Sequence, residues 1–127
     1  MPEFVLDASA LLALLNAEPG AELVSEALPH AAISTINLSE VVAKLVEAGM
    51  PEHAIRDALS TLPLIIMPFD LDQAFEAGLL RSATRSAGLS LGDRGCLSLA
   101  RRLDIPALTA DRTWGQLSIG VNVKLIR

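Results

Sequence analysis

The chain has 127 residues, of which 51% are hydrophobic and 20% are charged, and its formal net charge is -5. This length fits one domain spanning residues 1–127, and so apolar a composition excludes a disordered polypeptide. A single cysteine excludes an intramolecular disulfide, and two histidines beside it are too few for a Cys/His zinc cage. The four aromatic residues are too few for a base-stacking RNA-binding platform.

Short apolar runs alternate with longer amphipathic segments along the chain. The predicted elements, in chain order, are strand 3–7, helix 8–20, helix 20–28, strand 31–36, helix 38–49, helix 51–62, strand 64–69, helix 72–88, helix 90–104, strand 107–111, a short helical turn and strand 121–126. Strands separated by helical segments are typical of a parallel sheet with helices on both faces. The sequence therefore predicts an α/β fold with a central parallel sheet of four to five strands.

One apolar run, at residues 8–15, resembles the core of a signal peptide. Glu3 and Asp7 stand where such a peptide carries positive charge, which argues against that function. No run approaches the roughly 20 apolar residues that cross a bilayer. We therefore expect a cytoplasmic protein without membrane contact.

The charges are distributed unevenly along the chain. Residues 1–80 have a net charge of -10, whereas residues 81–127 have a net charge of +5 and contain most of the arginines. Arginine has a planar fork of donors that suits phosphate, so the second segment is a candidate surface for an anionic partner. The alternative is an ordinary solvated helix face that happens to contain several arginines.

Four acids are predicted to lie near one edge of the sheet. Asp7 and Asp111 end predicted strands, Glu40 follows the second strand closely, and Asp93 lies in the first turn of the helix before the fourth strand. Ligands of open α/β sheets bind beyond the carboxyl ends of the strands. These four carboxylates are therefore the candidate site.

Taken singly, each acid also has an ordinary structural interpretation. Asp7 and Asp111 are suitable helix N-caps, and Glu40 and Asp93 each stand at capping-box spacing, after Asn37 and Ser90. Glu40 is also spaced to form an ion pair with Lys44 one helical turn later.

Taken together, the four acids favour a metal site. Four carboxylates at one sheet edge repel one another, and a hard divalent cation with oxygen ligands relieves that repulsion. Mg²⁺ fits this requirement, and one or two such ions support in-line displacement at a phosphate without histidine, cysteine or a serine triad.

Four sequence blocks carry a family resemblance. They are VLDASALLALL at 5–15, INLSEV at 36–41, LSLGDRGCLSLA at 89–100 and ALTADRTW at 107–114. In this order they resemble the four acidic blocks of PIN-domain ribonucleases, and above all the VapC toxins of bacterial toxin–antitoxin pairs. The first and last blocks are weak signals alone, whereas the ordered set covers essentially the whole chain.

The resemblance implies a specific activity. Asp7, Glu40, Asp93 and Asp111 match the acidic quartet that binds Mg²⁺ or Mn²⁺ and catalyses hydrolysis of RNA phosphodiester bonds. Ser9 and Thr109 match hydroxyl positions that support the acids. The implied fold is an α/β/α sandwich, and the implied partners are RNA, a second copy in a homodimer, and a VapB-like antitoxin that lies in the active-site groove.

Several residues depart from the family pattern or fall outside it. Some relatives have a further acid soon after the fourth, where this chain has Arg112, Thr113 and Trp114. A second metal ion is therefore expected to be held weakly or to arrive with the substrate. Arg94 and Arg112 directly follow site acids and are candidates for phosphate contact or for pairing with nearby carboxylates. Trp114 is expected to pack in the core.

Three other functions stay open from the residues alone. A receiver-like signalling module would use Asp70, after the third strand, and Lys124, but it needs a second acid beside Asp7, where Ala8 and Ser9 stand. A PIN nuclease outside any toxin–antitoxin pair fits the same four acids. A catalytically idle PIN-like domain that only binds a partner fits them less well, since all four are present.

Overall fold

The computed structural model describes all 127 residues and is built on five short parallel strands and seven α-helices. The strands are β1 (Phe4–Leu6), β2 (Ala31–Ser34), β3 (Ile65–Met67), β4 (Ala107–Thr109) and β5 (Val123–Leu125). The helices are α1 (Ala8–Leu15), α2 (Ala21–Ala27), α3 (Thr35–Glu47), α4 (Glu52–Ser60), α5 (Leu71–Leu79), α6 (Arg81–Thr84) and α7 (Leu91–Leu103). Three 3-10 turns complete the fold, at Leu28–His30, Arg85–Ala87 and Arg112–Gln116.

The strand order is β3-β2-β1-β4-β5, and every pairing is parallel. Strands β2 and β3 lie on one side of β1, whereas β4 and β5 lie on the other side. This change of side leaves a crevice at the carboxyl ends of β1 and β4. Receiver domains have a different order, 2-1-3-4-5. The strand order therefore excludes the receiver-like alternative.

Side-chain alternation along the central strands builds two cores, one on each face of the sheet. Leu6 and Leu108 face the core formed with α1 to α4, whereas Val5 and Ala107 face the core formed with α7 and the segment after β4. All four side chains are essentially buried. This period-two alternation places helices on both faces and confirms the predicted α/β/α arrangement.

The second strand is shorter than predicted. It ends at Ser34, whose side chain accepts a hydrogen bond from the Ile36 N–H at 3.3 Å and caps α3. The helix therefore begins at Thr35, and the predicted capping box at Asn37 and Glu40 is wrong, because both residues lie inside α3. A serine before a β-branched residue was the signal for this cap.

The predicted helix at 72–88 is divided in two near Leu80. Helix α5 ends there, and α6 is a single short turn followed by a 3-10 turn. The Thr84 hydroxyl donates to the Leu80 carbonyl at 2.8 Å, a side-chain bond that competes with regular helix and bends it.

No helix is both long and apolar enough to cross a bilayer; the two longest, α3 and α7, have 13 residues each.

Candidate active site

The adjacent ends of β1 and β4 bring Asp7 and Asp111 to the crevice. Asp7 directly follows β1, and Asp111 is two residues beyond the end of β4. Glu40 reaches the same place from the second turn of α3, and Asp93 from the first turn of α7. The four carboxylates line one cleft of about 230 Å³, together with Ala8, Ser9, Leu12 and Lys44.

Asp7 is the most buried of the four acids, with 4% of its surface exposed. Its Oδ1 accepts hydrogen bonds from the Ser9 hydroxyl at 2.7 Å and the Ala10 N–H at 2.9 Å. Its Oδ2 accepts one from the Thr109 hydroxyl at 2.5 Å. Asp7 is thus both the N-cap of α1 and a carboxylate held rigidly at the floor of the cleft.

The Thr109 hydroxyl links two of the acids. While it donates to Asp7, it accepts a hydrogen bond from the Asp111 N–H at 3.0 Å. Ser9 makes a second connection, since its hydroxyl accepts from the Ala110 N–H at 2.9 Å. These bonds between β1 and β4 fix the position of Asp111 relative to Asp7 across about 100 residues of sequence.

Glu40 is held by Asn37, which the sequence placed near it at capping-box spacing, and by the space at Gly92, which sequence reasoning missed. The buried Asn37 amide donates to Glu40 Oε1 and to the Gly92 carbonyl, each at 2.9 Å, and so ties α3 to α7. Gly92 leaves the space that the Glu40 carboxylate occupies, because a Cβ atom at position 92 would overlap both of its oxygens. Only this close approach of two distant helices identifies the role of Gly92 and its hydrogen bond with Asn37.

Asp93 and Asp111 also cap helical segments. Asp93 completes a capping box with Ser90, and Asp111 Oδ1 accepts from the Thr113 N–H and hydroxyl, at 3.0 and 2.7 Å. In each case the bonds use one carboxylate oxygen, so the second oxygen is available to a ligand. Capping and ligand binding are therefore compatible at these positions.

The electrostatics of the cleft are those of uncompensated negative charge. Burial, with a smaller contribution from the charge of Asp93, raises the pKa of Asp7 from 3.8 to about 6, although three hydrogen bonds lower it. Burial, with a contribution from Asp93, likewise raises the pKa of Glu40, and the Asn37 hydrogen bond opposes this. None of the four carboxylates forms an ion pair with a basic side chain.

An open, oxygen-only site of this kind fits a hydrated divalent cation. No group of three or more His, Cys, Asp or Glu side chains is placed so that it could hold a metal ion without water ligands. Mg²⁺ does not require such a cage, because it keeps several water ligands and usually takes one or two carboxylates. The buried, unpaired Asp7 carboxylate is the strongest reason for a cation here, since an isolated charge is costly at such depth.

The other residues singled out from sequence lie elsewhere. Arg94 does not line the cleft; its Nη1 donates to the Ala77 carbonyl at 3.0 Å, and its Nε is buried without a partner. Arg112 is exposed beside Asp111. Trp114 is fully buried, as predicted, and cannot stack on a base. Cys96 is buried too, and its pKa is raised by burial and by the nearby acids.

The Asp7 pKa predicts a pH-dependent stability. Because this pKa is higher in the folded protein than in the unfolded chain, the folded state binds the extra proton, and stability falls as pH rises from about 4 to about 6. The full effect is about 3 kcal/mol. In EDTA, the melting temperature of Asp7→Asn relative to that of the wild type should therefore rise as the pH increases from about 4 to about 7, because the amide has no charge to bury. Thermal unfolding across this range measures it, and a constant difference would contradict it.

Comparisons with known proteins identify the family and the fold of the chain. The PIN domain family model matches residues 4–119. No curated protein matches the chain in sequence. A DNA-bound VapBC complex from Salmonella typhimurium has a chain with a TM-score of 0.78 and 18% identity, covering 100% of both chains.

Two further structures have similar folds. A toxin–antitoxin complex from Klebsiella pneumoniae has a chain with a TM-score of 0.74 and 25% identity, covering 97% of each chain. Mycobacterium tuberculosis VapC20, described as a toxin that cleaves the sarcin–ricin loop, has a TM-score of 0.73 and 19% identity over 94% of this chain and 98% of that one. The fold is thus that of the toxins in VapBC systems, and with a family match over nearly its whole length the chain belongs to the PIN-domain family.

Proposed function

We propose that residues 1–127 form one nuclease domain, a divalent-cation-dependent endoribonuclease that acts in the cytoplasm as the toxin of a toxin–antitoxin pair. The observation that carries this proposal is the convergence of four unpaired carboxylates on one cleft. They come from four separate segments of the chain: Asp7, Glu40, Asp93 and Asp111. Membership of the PIN-domain family supports a nuclease reaction at this cleft.

The four acids would hold Mg²⁺ or Mn²⁺. Such an ion, when bound, activates a water nucleophile and neutralises charge on a phosphate. The position of the Asp7 carboxylate is fixed because both of its oxygens accept hydrogen bonds, from Ser9, Ala10 and Thr109. Without a cation, four carboxylates repel a phosphodiester, so the same residues make the site inactive toward RNA until the ion binds.

The proposed partners are a VapB-like antitoxin and a second copy of the chain. Several structures with this fold are described as VapBC or toxin–antitoxin complexes, which supports an antitoxin partner. The exposed side chains of Leu71, Phe75 and Leu79 form an apolar stripe along α5, which supports a homodimer contact. A PIN nuclease outside any such pair is the alternative. Growth arrest on expression, relieved by co-expression of the adjacent reading frame, would distinguish the pair from the solitary nuclease.

The test of the activity is incubation of the purified protein with a total small-RNA pool in Mg²⁺, Mn²⁺ or excess EDTA. We expect discrete new RNA 5′ ends in the presence of metal and none in EDTA, with activity restored when excess metal is added back. Cleavage that persists unchanged in EDTA would overturn the metal dependence. Absence of cleavage and of RNA binding under all three conditions would overturn the nuclease proposal.

A further inference from the structure

A second cavity continues the acidic cleft. It has a volume of about 300 Å³ and shares Ser9, Leu12 and Lys44 with the cleft. Beyond these residues it is lined by Asn16, Glu18, Leu45, Ala48 and Arg127. The two cavities adjoin along these three shared residues, between α1 and α3, and are together called the groove here.

Lys44 stands at the junction of the two cavities. It is the only basic residue that lines the acidic cleft, and it also lines the second cavity. Its expected ion pair with Glu40 does not form; instead its Nζ lies 3.6 Å from Glu47, and both side chains are largely exposed. An exposed pair at this distance contributes little, so the Lys44 ammonium is free to bind another anion.

Several other basic side chains have partners outside the cleft. Arg94 donates to a backbone carbonyl of α5, Arg102 lies within 4 Å of three acids, and Arg56 pairs with Glu52 at 2.8 Å. At the far end of the groove, Arg127 Nη1 donates to Glu18 and to the Pro19 carbonyl. The arginine-rich segment predicted to face an anionic partner thus contributes only Arg127 to this groove.

We propose that Lys44 binds a backbone phosphate of the RNA strand adjacent to the cleaved bond, and that the strand continues through the second cavity toward Arg127. This inference rests on the proposed function. Basic side chains that line a groove are how proteins follow a single strand through its phosphates. Here they are Lys44 and Arg127, of which Arg127 is already bound to Glu18. A phosphate at Lys44 would lie beside the acids, where a positive side chain is needed to bring a polyanion to a negative cleft.

The test measures RNA binding as well as cleavage. The probe is a fluorescent, mixed-sequence single-stranded RNA of about 12 nucleotides, a length within the range of single-strand binding sites. Anisotropy in Mg²⁺ at several salt concentrations gives the Kd and its salt dependence, with the RNA checked by gel for integrity. The variants are Lys44→Gln, Lys44→Arg and, as a matched control on α4, Arg56→Gln.

Lys44→Gln should weaken RNA binding about 10-fold, as expected for loss of a charge-assisted contact. It should also lower the slope of log Kd against log salt by about 0.7, the value for one phosphate of a single strand. Lys44→Arg should retain binding, and Arg56→Gln should match the wild type. If the wild type binds and cuts RNA while Lys44→Gln behaves identically, this inference fails and the proposed function stands. A wild type that neither binds nor cuts RNA overturns both.

Discussion

Asp7→Asn should reduce RNA cleavage on the order of 1,000-fold or more, equivalent to about 4 kcal/mol of transition-state stabilisation. The substitution keeps the size and shape of the side chain but removes the most buried of the four charges. An uncharged amide is a far poorer ligand for a hard cation than a carboxylate. The measurement is the initial rate of cleavage of the RNA pool in Mg²⁺.

The matched control is Asp57→Asn, which removes the same charge from an exposed position on α4 outside the cleft. This variant should cleave RNA at the wild-type rate. Thermal melts of Asp7→Asn in the cleavage buffer show whether the variant is folded, and so separate a loss of activity from unfolding. Equal rates for Asp7→Asn and the wild type would show that Asp7 is a helix cap only.

Gly92→Ala should reduce cleavage about 100-fold, a loss of the size seen when residues that orient metal ligands are changed. Position 92 lies in the first turn of α7, where alanine is at least as favourable as glycine. The added methyl group would overlap the Glu40 carboxylate, which must then leave its place beside Asn37. The site should therefore lose one ligand while α7 stays folded.

Gly78→Ala is the control for this substitution. Gly78 lies in α5, and a Cβ atom there meets nothing within 4 Å. It should leave cleavage unchanged and leave stability unchanged or slightly higher. Circular dichroism melts and cleavage rates of both variants measure the contrast. Wild-type cleavage by Gly92→Ala would mean that the place of Glu40 against α7 is not needed for the reaction.

The sequence was sufficient to predict the parallel sheet and the convergence of the acids on its edge. Short apolar runs between amphipathic helices determine the fold class, and parallel strands place Asp7 and Asp111 at the same edge. The roles of Asp7 and Asp111 as helix caps could also be predicted from the sequence, because capping depends on residues two or three positions away. These features are local or follow from the strand direction alone.

The remaining features depend on contacts between distant segments. The sequence suggested only a local capping box for Asn37, whereas the structure also bonds its amide to the Gly92 carbonyl of the distant helix α7. The orientation of Arg94 toward α5 depends on the tertiary packing of that helix, although the residue directly follows a site acid. Lys44 was expected to pair with Glu40 one turn earlier, but the next turn of α3 offers Glu47 instead.

The most direct test of the metal site is a titration of Mn²⁺ into the wild type, Asp7→Asn and Asp57→Asn, with binding measured by electron paramagnetic resonance. The four-carboxylate site predicts saturable binding to the wild type, weakened at least about 10-fold in Asp7→Asn, with Asp57→Asn unchanged. Equal Mn²⁺ affinity in all three proteins would contradict a metal site at this cleft and leave Asp7, Asp93 and Asp111 as helix caps only.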